Sequence, residues 1–249
     1  VLIVDDSALI RHLFSDLLKD AEGIEVVGVA DNAQDAREKI KRLHPQVLTL
    51  DIEMPGMDGL SFLEKIMQLR PMPVIMVSTL TQKGASSTLR ALELGAVDYI
   101  SKPTGADAAE ALCGLRDELI EKIRTAASAN LARRQARANI ASQPLPFRAN
   151  GSDRLIAIGA STGGVEALRD IFAQLPSNTP PIVITQHMPR SFTRSFAARL
   201  NGLSAMTVSE ARHGMRLENG HAYLAPGGEH LRIVRKHSHY YCQLDLSDP

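Results

Sequence analysis

The chain begins Val1-Leu-Ile-Val-Asp-Asp-Ser7, an apolar run that ends in two acids and a serine. Apolar residues then recur at helical spacing, at Ile10, Phe14 and Leu18. A short continuous apolar run predicts a buried strand, and the spacing after it predicts a helix. The first unit of the fold is therefore a buried strand, an acidic loop and a helix.

This unit recurs over the first hundred or so residues. Further strands are predicted at 24–29, 47–50, 74–77 and 97–100, and further helices at 33–43, 59–69, 88–94 and 107–126. Strands that alternate with helices predict an α/β fold with a parallel, doubly wound sheet.

Polar side chains stand where four of these strands end: Asp5 and Asp6, Asp51, Ser78 and Lys102. The carboxyl ends of parallel strands meet at one sheet edge, so we expect these side chains to converge. Three carboxylates would repel one another, which favours a hard cation such as Mg²⁺, and the lysine and hydroxyl suit phosphoryl oxygens. Any one acid alone is better explained as a helix cap, but the whole set favours the ion site.

The composition limits the class of partner. Lysine and arginine (28) balance aspartate and glutamate (28), so no net basic field favours nucleic acid or an anionic membrane. Cys113 and Cys242 lie far apart and form neither a metal pair nor a disulfide framework, which fits a reducing cytosol. No apolar run approaches the ~20 residues of a membrane span, so we expect a cytoplasmic protein without direct membrane insertion.

A second glycine-rich stretch, Ile156-Ala-Ile-Gly-Ala-Ser-Thr-Gly-Gly164, reads as a strand, a sharp loop with Ser161 and the start of a helix. The apolar run 181–186 ends at His187, and parallel strands would bring Ser161 and His187 to one edge. A serine beside a histidine base is the arrangement of nucleophilic acyl transfer. The residues alone leave open a phosphate-binding loop, and a histidine that is an ordinary polar loop residue.

The remainder of the chain has strand-like runs at 206–209, 220–225, 231–235 and 240–246. Their alternation and the turn Pro226-Gly-Gly228 predict hairpin-like additions to the sheet. We assign no catalytic role to His213, His221 or His230, because surface or structural histidines are more common.

The first half resembles a response-regulator receiver domain over essentially its whole length. The resemblance is carried by Val4-Asp5-Asp6-Ser7, Asp51-Ile-Glu-Met-Pro-Gly-Met-Asp58-Gly59, Ser78 and Lys102-Pro103. It implies a flavodoxin-like fold in which Asp51 accepts a phosphoryl group from a histidine kinase. It also implies that Asp6, Asp51 and the Glu53 carbonyl ligate Mg²⁺, and that Asp5 supports the site.

The same resemblance assigns roles to three residues on the last two strands of the receiver. It implies that Lys102 and Ser78 contact the phosphoryl oxygens, and that Tyr99 is an aromatic switch. The receiver is expected at 1–126, followed by a linker at 127–152 that is rich in Ala, Asn, Gln, Arg, Ser and Pro.

The region from 153 to 249 resembles the chemotaxis methylesterase (CheB) family, through Gly159-Ala-Ser-Thr-Gly-Gly164 and Gln186-His187-Met188-Pro189. The resemblance implies a Rossmann-like domain in which Ser161 is the nucleophile and His187 the general base. The substrate would be a glutamate methyl ester, or a glutamine, on the cytoplasmic helices of a chemoreceptor. The kinase partner would be the histidine kinase of the chemotaxis system, and the ester step would need no cofactor.

The chemistry of the loop agrees with that implication. Attack of Ser161 on an ester gives a tetrahedral oxyanion, which backbone N–H groups near Thr162 and Gly163 would hold. We further expect the unphosphorylated receiver to block this site until Asp51 is phosphorylated.

The sequence departs from the family at the third triad residue, an aspartate in a Gly-x-Asp-Gly-type motif farther along the methylesterase domain, which residues 153–249 do not contain. Asp245 and Asp248 stand in the wrong context to replace it. Loss of the orienting acid typically costs ~10⁴ in turnover. We therefore expect the methylesterase domain to be truncated here, and residues 1–249 alone to be unstable or nearly inactive.

The alternative function is a non-enzymatic response regulator whose second domain only binds a partner. In that case Ser161 would belong to a binding loop, and Ser161→Ala would spare function instead of abolishing turnover. A regulator that binds DNA has little support, because neither a helix-turn-helix nor a basic output helix is evident.

Overall fold

The structure is a computed structural model that describes residues 1–79, 81–103, 108–128 and 154–246. Contacts within the chain divide it into two units, Val1–Asn139 and Ile140–Pro249. The linker predicted at 127–152 lies outside the described residues except at its first two positions, so the domain bounds stay a prediction. Within the described residues, no helix combines the length and apolar character that a membrane span requires.

The first unit alternates strands with helices. Its described strands are β1 (Leu2–Val4), β2 (Gly28–Ala30), β3 (Leu48–Asp51), β4 (Val74–Ser78) and β5 (Asp98–Ser101). Its described helices are α1 (Ala8–Leu18), α2 (Ala33–Leu43), α3 (Gly59–Leu69), α4 (Gln82–Glu93) and α5 (Ala108–Ser128). Neighbouring strands pair in parallel in the order β2-β1-β3-β4-β5, which confirms the predicted doubly wound sheet.

Burial explains why the inner strands are mostly apolar. Every residue of β3 and β4 is buried, because helices cover both faces of a parallel sheet. On one face, Ile3 and Ile75 pack with Phe14 of α1 and Leu119 of α5 in a single cluster. The central strands are thereby fixed, and their carboxyl ends meet at one edge.

Two predicted elements have different bounds in the structure. Helix α4 begins before the predicted Thr88, because the Thr81 side chain caps it by accepting a hydrogen bond from the Gly84 N–H at 2.9 Å. Strand β2 is shorter than predicted: Ile24 and Val26 pack against the core, but pairing with β1 begins at Gly28.

The second unit also begins with alternating elements. Its described strands are β6 (Ile156–Ala160), β7 (Ile182–Gln186), β8 (Thr207–Glu210), β9 (His221–Leu224), β10 (His230–Lys236) and β11 (His239–Asp245). Its described helices are α6 (Gly164–Phe172) and α7 (Arg190–Leu203). Four strands form a parallel sheet in the order β6-β7-β9-β8, which confirms the α/β class of this unit.

The predicted hairpin additions to that sheet were wrong in placement. Strand β9 pairs in parallel, whereas β10 and β11 form an antiparallel sheet of their own. The turn at Gly227 does not reverse a strand; it brings the chain against Met188 and Arg190, with whose backbone a Cβ at Gly227 would collide. The β10–β11 hairpin is held by backbone hydrogen bonds between Cys242 and residues 214 and 215, and by a side-chain cluster that contains buried Cys242 and Tyr223.

Gly59, at the start of α3, offers a test of packing beneath the strand edge. A Cβ at this position would collide with the backbone carbonyl of Asp51. We therefore expect Gly59→Ala to lower the free energy of unfolding of the first unit by about 1–3 kcal/mol, measured by urea unfolding.

Gly114→Ala is the matched control, because a Cβ at Gly114 in α5 meets nothing within 4 Å. This change should stabilise the helix by up to about 1 kcal/mol, since alanine has the higher helix propensity. Equal midpoints for Gly59→Ala and the unaltered protein would contradict the packing argument.

Candidate functional sites

Three carboxylates converge at the carboxyl edge of the first sheet. Asp5 follows β1 and Asp51 ends β3, and these two strands are parallel neighbours. One ligand oxygen from each of Asp5, Asp6 and Asp51 lies within 4.8 Å of the others. Asp5 and Asp51 are each 1% exposed, whereas Asp6 is exposed, so the cluster is open on one side.

Lys102 reaches into this cluster from the segment after β5. Its Nζ lies 2.8 Å from Asp51 Oδ2 and 3.0 Å from Asp5 Oδ2. Burial lowers the pKa of Lys102 and the two carboxylates raise it, with a net upward shift, so the ammonium stays charged. These distances confirm the predicted convergence for the three acids and Lys102.

One ammonium does not offset the burial of two carboxylates. Burial raises the pKa of Asp51 to about 6, although Lys102 acts in the opposite direction. Burial also raises the pKa of Asp5 against the same ion pair. The pocket therefore has an excess of buried negative charge and oxygen donors, which fits a hard divalent cation such as Mg²⁺.

The other predicted receiver residues surround this pocket. The Glu53 N–H donates to Asp51 Oδ1 at 3.3 Å, which places the Glu53 backbone next to the acids. Ser78 ends β4 and is 2% exposed, and its single hydroxyl proton faces two carbonyl acceptors at long range, Thr79 (3.3 Å) and Gly84 (3.4 Å).

Tyr99 lies on β5 and is buried. Its ring is 4.9 Å from Lys122 Nζ, measured to the ring centroid, and burial raises the pKa of its hydroxyl. Tyr99 therefore occupies an inward, buried position in this structure.

The second site lies at the carboxyl ends of β6 and β7. Ala160 pairs with Gln186 in parallel register, so the residues that follow them, Ser161 and His187, leave the sheet side by side. The His187 N–H donates to the Ala160 carbonyl at 3.0 Å. Both Ser161 and His187 line one cleft of about 570 Å³. In the part of the chain that the structure describes, no hydrogen bond joins their two side chains.

The loop after Ser161 presents backbone donors. Gly163 has a φ of 74°, a left-handed conformation that glycine adopts without strain. The Gly164 N–H donates to the Ser161 carbonyl at 2.8 Å, and α6 begins at Gly164. Within residues 154–246, the N–H groups of Thr162 and Gly163 make no hydrogen bond, so they are available to an anion at the start of a helix.

The cleft contains further residues to which the sequence argument gave no role: Thr185, Gln186, Glu229 and His230. The Glu229 carboxylate is 10% exposed and pairs with Arg190 at 2.5 Å. Glu229 and His230 reach the cleft because the Pro226-Gly-Gly228 turn packs closely against Met188. This contact is between distant segments, so the sequence alone does not reveal it.

Comparisons with known proteins match both units of the chain. The family model for the response regulator receiver domain matches residues 1–112, and the model for CheB methylesterase matches residues 156–248. A protein-glutamate methylesterase/protein-glutamine glutaminase of Xanthomonas campestris is 51% identical over all of this chain and 72% of its own length. The chain belongs to the CheB methylesterase family. A Geobacter metallireducens relative of the same name is 50% identical over all of this chain and 71% of its own length.

Two solved structures from Thermotoga maritima are also similar. The response regulator domain of CheB is 43% identical and covers 52% of this chain and 96% of that one, with a TM-score of 0.47. The CheB methylesterase catalytic domain is 43% identical and covers 39% of this chain and 52% of that one, with a TM-score of 0.38. The family models and the curated relatives confirm the family predicted from the motifs, whereas the roles of individual residues stay predictions.

The buried ion pairs of Lys102 predict a pH-dependent loss of stability. Lys102→Met removes the group that lowers the pKa values of Asp5 and Asp51, so both should rise further. In the unaltered protein, the pKa of Asp51 is already higher in the folded state than its usual value. Ionisation of Asp51 therefore lowers the free energy of unfolding as the pH rises through about 6. We expect the variant to lose roughly 3 kcal/mol of unfolding free energy at pH 8, and less at pH 5, where the acids are protonated.

The measurement is urea unfolding at both pH values in the presence of EDTA. Lys41→Met is the control, because Lys41 is an exposed residue of α2 that makes no ion pair or hydrogen bond among the described residues. The loss in this variant should stay below about 0.5 kcal/mol at either pH. A Lys102→Met deficit that does not change with pH would contradict the assigned electrostatics.

Proposed function

We propose that this protein hydrolyses methyl esters of glutamate side chains on chemoreceptors, and deamidates glutamines there, under the control of receiver phosphorylation. The observation that carries the proposal is that Ser161 and His187 share one cleft at the ends of adjacent parallel strands. Membership of the CheB family, whose curated members are named protein-glutamate methylesterase/protein-glutamine glutaminase, supplies the substrate class.

In the proposed reaction, Ser161 Oγ attacks the ester carbonyl while His187 accepts the hydroxyl proton. The tetrahedral oxyanion is held by the free N–H groups of Thr162 and Gly163, and one such donor is typically worth ~3 kcal/mol. His187 then gives the proton to the departing methoxide, so methanol leaves and an acyl-enzyme remains. Water activated by His187 hydrolyses that ester, releases a free glutamate and restores Ser161; no cofactor takes part.

The receiver site supports control by phosphoryl transfer. Asp51 is the nucleophile for the phosphoryl group. Asp6, Asp51 and the Glu53 carbonyl would hold Mg²⁺, and Asp5 would support them; the bound ion would supply positive charge against the phosphoryl oxygens. Lys102 and Ser78 contact the phosphoryl oxygens, and Tyr99 changes its position in response.

The proposed partners follow from this reaction. The phosphoryl donor is the histidine kinase of the chemotaxis system, and the substrate is the methylated helical region of a chemoreceptor. These helices are cytoplasmic, so we propose that the protein acts in the cytoplasm. Neither nucleic acid nor membrane insertion is needed for this activity.

The esterase proposal is tested by methanol release from methylated chemoreceptor, with the protein at its full natural length. Ser161→Ala should lower turnover by at least ~10³-fold, because no other group replaces the nucleophile. Ser209→Ala on β8, at the opposite edge of the sheet from β6, is the control and should retain turnover. Methanol release that persists in Ser161→Ala would favour a domain that only binds a partner.

The regulatory proposal is tested on the same substrate with a small-molecule phosphodonor. The donor should raise methanol release in the unaltered protein but not in Asp51→Asn, because an amide cannot accept the phosphoryl group. The exposed Asp20→Asn is the matched control and should keep the stimulation. Equal stimulation of Asp51→Asn and the unaltered protein would exclude Asp51 as the phosphoacceptor.

A further inference from the structure

The side chain of Gln186 connects the two segments that carry Ser161 and His187. Gln186 is the last residue of β7 and directly precedes His187. Its Nε2 donates to the Ser161 carbonyl at 3.0 Å and lies 3.4 Å from the His187 carbonyl. One carboxamide therefore bridges the loop after β6 and the end of β7.

The Ser161 carbonyl receives two donors, one from each side of the loop. The second is the Gly164 N–H, at 2.8 Å. Because a trans peptide is planar, the direction of the Ser161 carbonyl fixes the opposite direction of the Thr162 N–H. The two bonds together thus aim the Thr162 N–H away from the body of the loop.

We propose that Gln186 is a positioning residue that holds the Ser161–Thr162 peptide so that the Thr162 N–H is oriented towards the oxyanion. This inference rests on the proposed function, in which that N–H stabilises the tetrahedral intermediate. Gln186 itself touches no reacting atom. Its contribution is to prevent the peptide from rotating, which would replace the N–H donor with a carbonyl oxygen.

The surroundings of Gln186 fit a side chain that must stay in one orientation. Gly164 lacks a side chain at the point where a Cβ would collide with Gln186 Oε1. That oxygen is buried and has no hydrogen-bond partner in the described structure. A rotated carboxamide would set Oε1 against the Ser161 carbonyl oxygen, so the bond to Ser161 fixes the orientation even though Oε1 stays unpaired.

The test uses two substitutions of nearly equal size in the full-length protein. Gln186→Met removes the donor, and Gln186→Glu replaces it with a carboxylate that repels the Ser161 carbonyl. We expect kcat for a small aryl acetate ester to fall about tenfold in Gln186→Met and further in Gln186→Glu, with KM within twofold. A misaligned donor should cost less than the ~10²–10³ seen when an oxyanion donor is removed.

A tetrahedral mimic separates positioning from general structural support. Phenylboronic acid forms a tetrahedral adduct with an active serine, so its inhibition constant should weaken by the same factor as kcat falls. Gln174→Met is the matched control, because the Gln174 Nε2 also donates to a backbone carbonyl, that of Asp170, at 2.9 Å near the end of α6. It should leave kcat, KM and boronate inhibition unchanged.

Two results would overturn the inference. One is an unchanged kcat in both Gln186 variants; the other is a rise in KM without a loss of kcat or boronate affinity. If Gln186→Met unfolds at the assay temperature, Gln186→Glu decides, since a glutamate fills the same space. Turnover that survives Ser161→Ala would remove the proposed function itself, whereas an inactive Ser161→Ala beside fully active Gln186 variants would remove only this inference.

Discussion

Parallel pairing of neighbouring strands is the constraint on which both sites depend. In the first unit it sets the ends of β1 and β3 side by side, and Asp5 and Asp51 follow from that alignment. In the second unit it does the same for β6 and β7, and for Ser161 and His187. Residues far apart in sequence therefore meet because the backbone hydrogen bonds leave the strands no other alignment.

The two sites use this edge in opposite electrostatic ways. The receiver edge buries two carboxylates beside a single ammonium, so the folded protein keeps an unfavourable excess of negative charge that a cation or a proton relieves. Among the described residues, the second edge carries no such cluster of acids. What it offers instead is the pair of N–H groups, of Thr162 and Gly163, that make no hydrogen bond at the start of α6. The first edge thus fits a cation, and under the proposed function the second edge would hold a negative charge that exists only during the reaction.

Much of this arrangement could be predicted from the sequence. The bounds of α2 and α3 and the five acidic, hydroxyl and lysine positions follow from local pattern, because buried strands and amphipathic helices leave a direct signal. The early start of α4 could not be predicted from apolar spacing, because the residue that begins this helix is a polar cap, Thr81. The separate β10–β11 sheet, and the approach of Gln186 and Glu229 to the cleft, depend on contacts between distant segments that no local pattern records.

The five-residue length of β7 has a consequence for how this region tolerates change. Because side chains alternate between the two faces of a strand, a deletion within β7 would turn the Gln186 carboxamide to the other face while it also withdrew His187 from the edge. A one-residue shift in β7 would thus disturb the Ser161 loop and His187 together. The length of β7 is therefore as strictly constrained as the identity of its residues. Insertions are better tolerated in the loops around it.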